Sequence, residues 1–487
     1  MKREFLLNIV FLLTANLLIK PFYLFGIDRG VQNTVSEAEY GLYFALFNFT
    51  FLFQIVNDFG IQNYNNRHLS QHRQLLVKYF PNFMVLKGLL SVAYLGLVLG
   101  IGWLAGYTLP HFGLLLFIAF NQILFSLLIY LRSNITGLGH YRLDSLLSVT
   151  DRLLLILICG VLLWSKWAPG PFRIEWFVWA QTASLGFTAL LAFGLVARRL
   201  PRLRLKVRPA FLRYLLRESA PYAFSIFLMS AYYRLDGIMI EQLLPEGARE
   251  AGLYASAYRL YEAANVVGFL FAGLLLPIFS RMLKEQEPVQ ELAGFGFRLI
   301  TLGALTLLAG VVFYRTPIME ALYDSGSAYS GRILLYLCLG FVGVAGTYIY
   351  GTLLVAGGCT KQLNRAFAIG LLINLSLNIV LIPQLKAEGA AIATFVTQAF
   401  IISAELWLSA RYLKVSVPLR TWAQLAVAGG LLFGTAYAVY QSELLVWYWS
   451  FFGILGMGGA LALLFVWQNS QLRGYWMGNA EPPDRRK

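Results

Sequence analysis

The sequence predicts an all-α polytopic membrane protein of about fourteen transmembrane helices, built as two parallel six-helix lobes plus two C-terminal helices. Composition is the first reason. Of 487 residues, 58% are hydrophobic and only 13% charged, with a mean hydropathy of +0.64, far more apolar than an average soluble domain. The second is run length: apolar stretches of about 20 residues recur roughly fourteen times, from "FLLNIVFLLTANLLIKPFYLF" to "LVWYWSFFGILGMGGALALLFVW". The third is the lack of the alternating pattern of a membrane barrel, which leaves helices as the way to satisfy backbone groups in lipid.

The first run follows Lys2 and Arg3, as in a signal peptide, but it is long and no small-residue cleavage site follows Phe25. It is expected to stay as the first helix. With the N-terminus in the cytoplasm, alternate loops collect about two dozen Lys and Arg against about six on the other face. The inward loops then carry Arg67, Arg73 and Lys78, Arg132 and Arg142, Lys361 and Arg365, Arg411, Lys414 and Arg420, and the tail "PPDRRK". Both termini are expected in the cytoplasm.

Between the sixth and seventh helices lies "ARRLPRLRLKVRPAFLRYLLR", with Arg198, Arg199, Arg202, Arg204, Lys206, Arg208, Arg213 and Arg217 and no acidic residue. One reading is a topology anchor resting on anionic membrane lipids; the other recruits an anionic lipid-linked substrate. "RYLLR" also suggests a short interfacial helix with Leu215 and Leu216 toward the acyl chains. The net charge of +15 therefore implies membrane contact and no nucleic acid.

A weak internal repeat sets the domain plan. "AEYGLYFALFNFTFLFQ" from Ala38 opens the second helix and "REAGLYASAYRLYEAAN" from Arg249 the eighth. Both carry E-x-G-L-Y, and the register maps Tyr43 onto Tyr254, Thr50 onto Tyr261 and Gln54 onto Asn265. Six helices separate them, so the repeats are parallel. The expected divisions are 1–198 (helices 1–6), 199–218 (basic linker), 219–412 (helices 7–12) and 413–487 (helices 13–14 and tail).

Polar stripes mark candidate site residues. The second helix aligns Tyr43, Thr50, Gln54, Asn57 and Asp58; the eighth aligns Tyr254, Tyr258, Tyr261, Glu262 and Asn265, with Arg259 on its shoulder. In the first helix Asn16 and Lys20 are one turn apart, and the seventh carries Ser230, Tyr233 and Arg234 within "SAYYRLDGIM". Interhelical hydrogen bonding would account for any single Tyr, Asn or Gln, and snorkelling for the cations. Arg234 and Asp236, two apart, project to nearly opposite sides; one of them braces a helix contact, with Arg259 a candidate partner of Asp236, and the spacing does not say which.

Other chemistry finds no footing. No outer connection exceeds about 20 residues, which disfavours a membrane glycosyl polymerase or ligase and points away from an enzyme. "HLSQH", with His68 and His72, has a zinc-pair spacing but no third ligand, and His111 and His140 stand apart. Cys159, Cys338 and Cys359 form no disulfide framework. "NFT" at Asn48 and "NIT" at Asn134 match the glycosylation tripeptide but lie in or beside the membrane. With no phosphate-cradling glycine loop, neither a cofactor nor ATP is called for.

"IVNDFGIQNYNNRHLSQ", "YYRLDGIMI", "GLYASAYRLYEAANVVGFLFAGLLLPIFSRM" and "NLSLNIVLIPQLKAEGAAIAT", in this order over most of the chain, resemble the Wzx-type polysaccharide-biosynthesis flippases. These belong to the superfamily that also holds multidrug carriers and the lipid II flippase. The resemblance implies a cavity lined by the first, second, seventh and eighth helices and alternating access by lobe rocking. It implies a polyprenyl-pyrophosphate-linked oligosaccharide repeat unit as cargo, moved to the outer leaflet of the bacterial inner membrane for O-antigen, capsule or exopolysaccharide. The family's cationic cavity positions carry over as Lys20, Arg234 and Arg259. A proton or sodium counter-ion and a glycan polymerase complex are further expected partners. The rival expectation is a cation-coupled multidrug or small-solute exporter, for which Asp58, Glu262 and Asp236 are the acidic candidates.

Overall fold

A computed structural model describes residues 19–62, 65, 76–107, 109–165, 170–198, 209–442 and 446–468. Asn16, Arg67, Arg73, His68, His72, most of the basic linker (199–208) and the C-terminal tail lie outside the described residues, as do the side chains of Lys78, Leu215 and Ser230. Helix dominates, and the described residues contain no strand.

The helices in chain order are α1 (Tyr23–Asp28, wound as a π-helix, continuing as Arg29–Thr34), α2 (Glu37–Leu52, continuing past Phe53 as Gln54–Asp58), α3 (Leu76–Leu104), α4 (Leu109–Gly137), α5 (Tyr141–Trp164) and α6 (Ile174–Ala197). Then come α7 (Pro209–Leu243), α8 (Gly247–Lys284), α9 (Gln290–Leu322) and α10 (Ala328–Ala356). The helical stretch Thr360–Leu408 breaks at Lys386, whose φ of 55° is non-helical, into α11 and α12. α13 (Leu419–Ser442) and α14 (Trp447–Gln468) complete fourteen helices among the described residues. Among the described residues, ten stretches are by length and composition able to cross a bilayer, and the stretch from Thr360 counts once although it is folded in two. The chain is a multi-pass helical membrane protein.

Local chemistry sets several boundaries. Ser36 and Glu39 form a capping box that starts α2, Ser36 Oγ accepting from the Glu39 amide at 3.2 Å. Phe59, with φ of 47°, and Gly60, with φ of 74°, end it. Pro81, Pro277, Pro317 and Pro383 sit within helices, as membrane helices tolerate.

The chain packs as two compact units, residues 1–256 with 375–387 and residues 257–374 with 388–487. The boundaries fall within α8, within α11 and just after the break at Lys386. In the first unit α4 packs against α6 and α3, and Phe80, Phe83, Tyr130, Leu131, Ala192 and Val196 form a closed apolar core. α7 lies along α2, and the start of α8 crosses α2 at the repeated motif. A Cβ on Gly41 would overlap the Ala248 carbonyl oxygen, and one on Gly252 the Glu37 carbonyl, so glycines in both copies of E-x-G-L-Y permit a backbone-to-backbone crossing. Arg249 closes it with a 2.8 Å bond to Glu37, and Gln32 donates to the Gly252 carbonyl at 3.1 Å.

In the second unit α9 is the hub: α10, α13 and α14 all pack on it. Phe297 meets Trp422 edge-on at 5.6 Å, and Gly458 of α14 seats against Thr306.

Candidate functional site

The stretch "SAYYRLDG" lies on α7, and its spacing separates two jobs. Arg234 turns toward α2. Its Nη1 donates to Asn48 Oδ1 at 3.1 Å, and its guanidinium lies 4.5 Å from the Phe51 ring centre and 5.6 Å from that of Phe47. Asn48 is 2% exposed, which fixes the acceptor. These partners orient the guanidinium, and none of the three carries a charge. Gly237, one turn on, makes the approach possible: a Cβ there would stand 2.6 Å from Asn48 Nδ2 and 2.7 Å from Phe44 Cε1.

Asp236 points elsewhere. At 2% exposure it accepts hydrogen bonds from Tyr254 Oη and Asn378 Nδ2, each at 2.7 Å, tying α7 to the start of α8 and to residues 375–387. A buried carboxylate with two donors is compatible with its surroundings. The divergence expected of residues two apart is therefore seen in their partners. Tyr233 is half-buried on the same helix.

The polar stripe of α2 is engaged inside the first unit. Tyr43 Oη accepts from Gln181 Nε2 of α6 at 2.8 Å. Thr50 donates to its own helix at the Phe47 carbonyl, while its carbonyl accepts from Tyr94 of α3. Gln54 and Asn57 both donate to the Gln122 carbonyl of α4 at 3.2 Å, and Asn57 accepts from Ser91 at 3.0 Å. Asp58 pairs with Lys87 at 3.0 Å, with side chains 20% and 4% exposed, and Lys87 also donates to Ser126. Each of these bonds joins or braces helices of one unit, the pattern of interhelical polar packing.

Lys20 is exposed and lies in the field of Arg152, Arg132 and Asp151. Arg152 stacks over Tyr23 at 4.6 Å and stands 3.7 Å from Asp151, while Arg132 bonds Asp144 at 2.7 Å.

The rest of the α8 stripe belongs to the second unit. Arg259 Nη1 bonds Glu262 Oε2 at 2.6 Å, one turn apart. Tyr258 and Tyr261 lie 5.4 Å apart, and Tyr261 packs edge-on to Phe341 at 6.2 Å. Asn265 donates to the Tyr261 carbonyl at 2.8 Å and accepts from Tyr348 at 2.6 Å.

Asn48, Phe47, Phe51, Lys87 and Asn378 escaped the sequence reading. Asn48 was visible only as a glycosylation tripeptide, and the two phenylalanines carry no polar signal; the spacing 47, 48 and 51 is one face of α2. The pair Asp151 and Arg152, in the midst of "LLSVTDRLLLILICG", was the signal most open to detection, since ionisable groups in an apolar helix point to function. No group of three or more metal-ligating His, Cys, Asp or Glu occurs among the described residues.

Fold and site define a multi-pass helical membrane protein with ionisable groups bonded within its spans. The fold is similar to that of a solved lipid II flippase MurJ in an inward closed conformation, with a TM-score of 0.74 over 95% of this chain and 99% of that one, at 16% identity. It is also similar to the Vibrio cholerae MATE transporter VcmN, with a TM-score of 0.54 over 84% and 94% of the two chains at 14% identity. In sequence, 158 residues are 25% identical to the probable lipid II flippase MurJ of Rickettsia prowazekii (strain Madrid E); the match spans 31% of this chain and 31% of that protein. The family described as polysaccharide biosynthesis protein matches residues 5–283, more than half of the chain, and the protein belongs to that family.

Proposed function

We propose that the protein is a flippase that carries a polyprenyl-pyrophosphate-linked oligosaccharide repeat unit from the cytoplasmic to the outer leaflet of the bacterial inner membrane by alternating access, in O-antigen, capsule or exopolysaccharide synthesis. The observation that carries this reading is Arg234: a guanidinium on a membrane helix, oriented by Asn48 and two aromatic rings. A cation so placed suits the doubly acidic pyrophosphate, and planar N–H forks match phosphate oxygens. Membership of the polysaccharide biosynthesis family and the names of the MurJ relatives support a lipid-linked cargo.

Tyr258, Arg259, Tyr261 and Glu262 are proposed as further contacts with the sugar part, whose faces and hydroxyls suit aromatic and polar groups. Lys20 and Asn16 are also proposed as cargo contacts. Two duplicated lobes, 1–198 and 219–412, cytoplasmic termini, a counter-ion and a docked glycan polymerase complete the proposal. The rival, a cation-coupled exporter, draws on the likeness to VcmN. It is weakened because Asp58, the acidic candidate in the first lobe, is already compensated by Lys87.

The deciding experiment measures polyprenyl-linked sugar in cells deleted for this gene and complemented with wild type, Arg234→Ala or Arg213→Ala. Accumulation relieved by wild type and Arg213→Ala but not by Arg234→Ala, at equal membrane abundance, is expected. No accumulation in the deletion would refute the flippase reading and favour the exporter.

A further inference from the structure

One acidic side chain lies apart from everything above. Glu405 of α12 is 0% exposed, and neither carboxyl oxygen has a hydrogen-bond partner. It faces α10 at Gly351, where a Cβ would stand 2.8 Å from Glu405 Oε1 and 3.2 Å from Thr347 Cγ2, so the glycine makes the room the carboxyl occupies. The hydroxyls of Thr347 and Tyr350 on α10, and the amide oxygen of Gln398 two turns back on α12, are likewise buried without partners. The α10–α12 seam thus holds a row of polar groups in an otherwise apolar interface, where Gly343 packs on Gln398 and Gly346 on Ile402.

Among the described residues, the elements around the seam bring no counter-charge to it. α10 has a single ionisable cation, Arg332, at its opposite end and bonded to Glu388. On α9, Phe297 reaches Gly346, and the neighbouring Arg298 donates to Gln424. α11 packs on Ile401 through Gly370; its Lys361 and Arg365, like Arg411 and Lys414 after α12, are exposed or half-buried and leave the Glu405 oxygens unbonded. Tyr350 is the titratable neighbour on α10, beside the neutral Thr347.

An ionised carboxylate, which only accepts hydrogen bonds, is strongly disfavoured at such a place; the neutral acid carries one O–H, which can serve the hydroxyl oxygen of the adjacent Thr347. We propose that Glu405 is a proton-binding site of the second unit, loaded while the α10–α12 seam is closed and emptied when it opens. Emptying breaks the carboxyl O–H bond heterolytically: the proton passes to water and a hydrated carboxylate remains, and closure takes the proton back. The way out is short. Glu405 lies eight residues from Leu413, where the π-helical continuation of α12 ends, and Gly351 five from Ala356 at the end of α10, about 12 and 8 Å of helix. This inference does not need the flippase reading, because the site is defined by the seam and not by cargo.

The test uses the purified full-length chain in lipid nanodiscs. Glu405→Gln keeps the shape of the neutral acid but cannot ionise. Infrared difference spectra between wild type and this variant should contain a protonated-carboxyl C=O band, which Thr347→Val should shift. Hydrogen exchange, corrected for its intrinsic pH dependence, should show seam protection in wild type falling by up to about tenfold per pH unit as pH rises, the limit for one proton released on opening. In Glu405→Gln it should be flat. Absence of the carboxyl band, or the same pH dependence in both proteins, would overturn the proposal. Should Glu405→Gln fail to fold, Glu405→Asp keeps the test alive, since it should move the band, and an unmoved band counts equally against it.

Discussion

Replacing Asp58 by asparagine tests whether the α2 stripe is internal bracing. In the folded chain Lys87 sits at 4% exposure with Asp58 at 3.0 Å and Ser126 as its bonded partners. The substitution would leave the ammonium with a neutral amide and a hydroxyl, and removing one member of a buried pair costs about 3–5 kcal/mol. Unfolding entropy of about 2.1 cal/mol/K per residue, over 487 residues, is about 1 kcal/mol/K. The apparent Tm should therefore fall by about 3–5 °C in a fluorescence melt of the purified protein. Asp58→Asn with Lys87→Met should recover most of the loss, because two neutral groups leave no buried charge. Unchanged melting for the single variant, with export lost, would refute the bracing argument and return Asp58 to the cargo path.

Arg234→Lys should complement the deletion poorly, retaining a point charge but losing the fork and the planar faces over Phe47 and Phe51; full complementation in the accumulation assay would remove the need for a guanidinium. Gly237→Ala should cost about 1–3 kcal/mol by overpacking against Asn48 and Phe44, read as a lower melting temperature. Asp236→Leu should destabilise more than Asp236→Asn, since an amide oxygen can still accept from Tyr254 and Asn378, and the same melt ranks them. Tyr107, between α3 and α4, donates to Glu241 at 3.0 Å; burial and then the Glu241 charge push its ionisation above the usual tyrosine range. Its hydroxyl keeps its proton, so the stability lost in Tyr107→Phe, about 1 kcal/mol, should not vary between about pH 6 and 9.

Helix number and membrane character could be read from the sequence because hydrocarbon imposes them residue by residue: a span needs its apolar length wherever its neighbours lie. The seventh helix could be singled out for the same reason, since Arg234 and Asp236 are costly there. The facing of α2 could not. Tyr43, Gln54, Asn57 and Asp58 form one stripe whether they meet water or other helices, and the choice depends on Gln181, Gln122, Ser91 and Lys87, which come from three helices distant in the chain. In the sequence Lys87, in "FMVLKGLLSV", and Glu405, in "FIISAELWLSA", are each a lone charge within mostly apolar residues. What each one does depends on a partner present for one and absent for the other.

One turn of α7 shows why Arg234, Asp236 and Gly237 belong together. Residues two apart on a helix project to different sides, so the guanidinium and the carboxylate take different contacts. The helical step of about 100° per residue sends Asp236 to Tyr254 and Asn378 while Arg234 reaches Asn48, Phe47 and Phe51 of α2. Gly237 supplies the third condition, because any larger residue would push α7 off α2 and lift the guanidinium from its seat. Asp236 is thus predicted to affect export through helix placement. Replacing it should lower protein stability and export together, whereas replacing Arg234 should lower export alone.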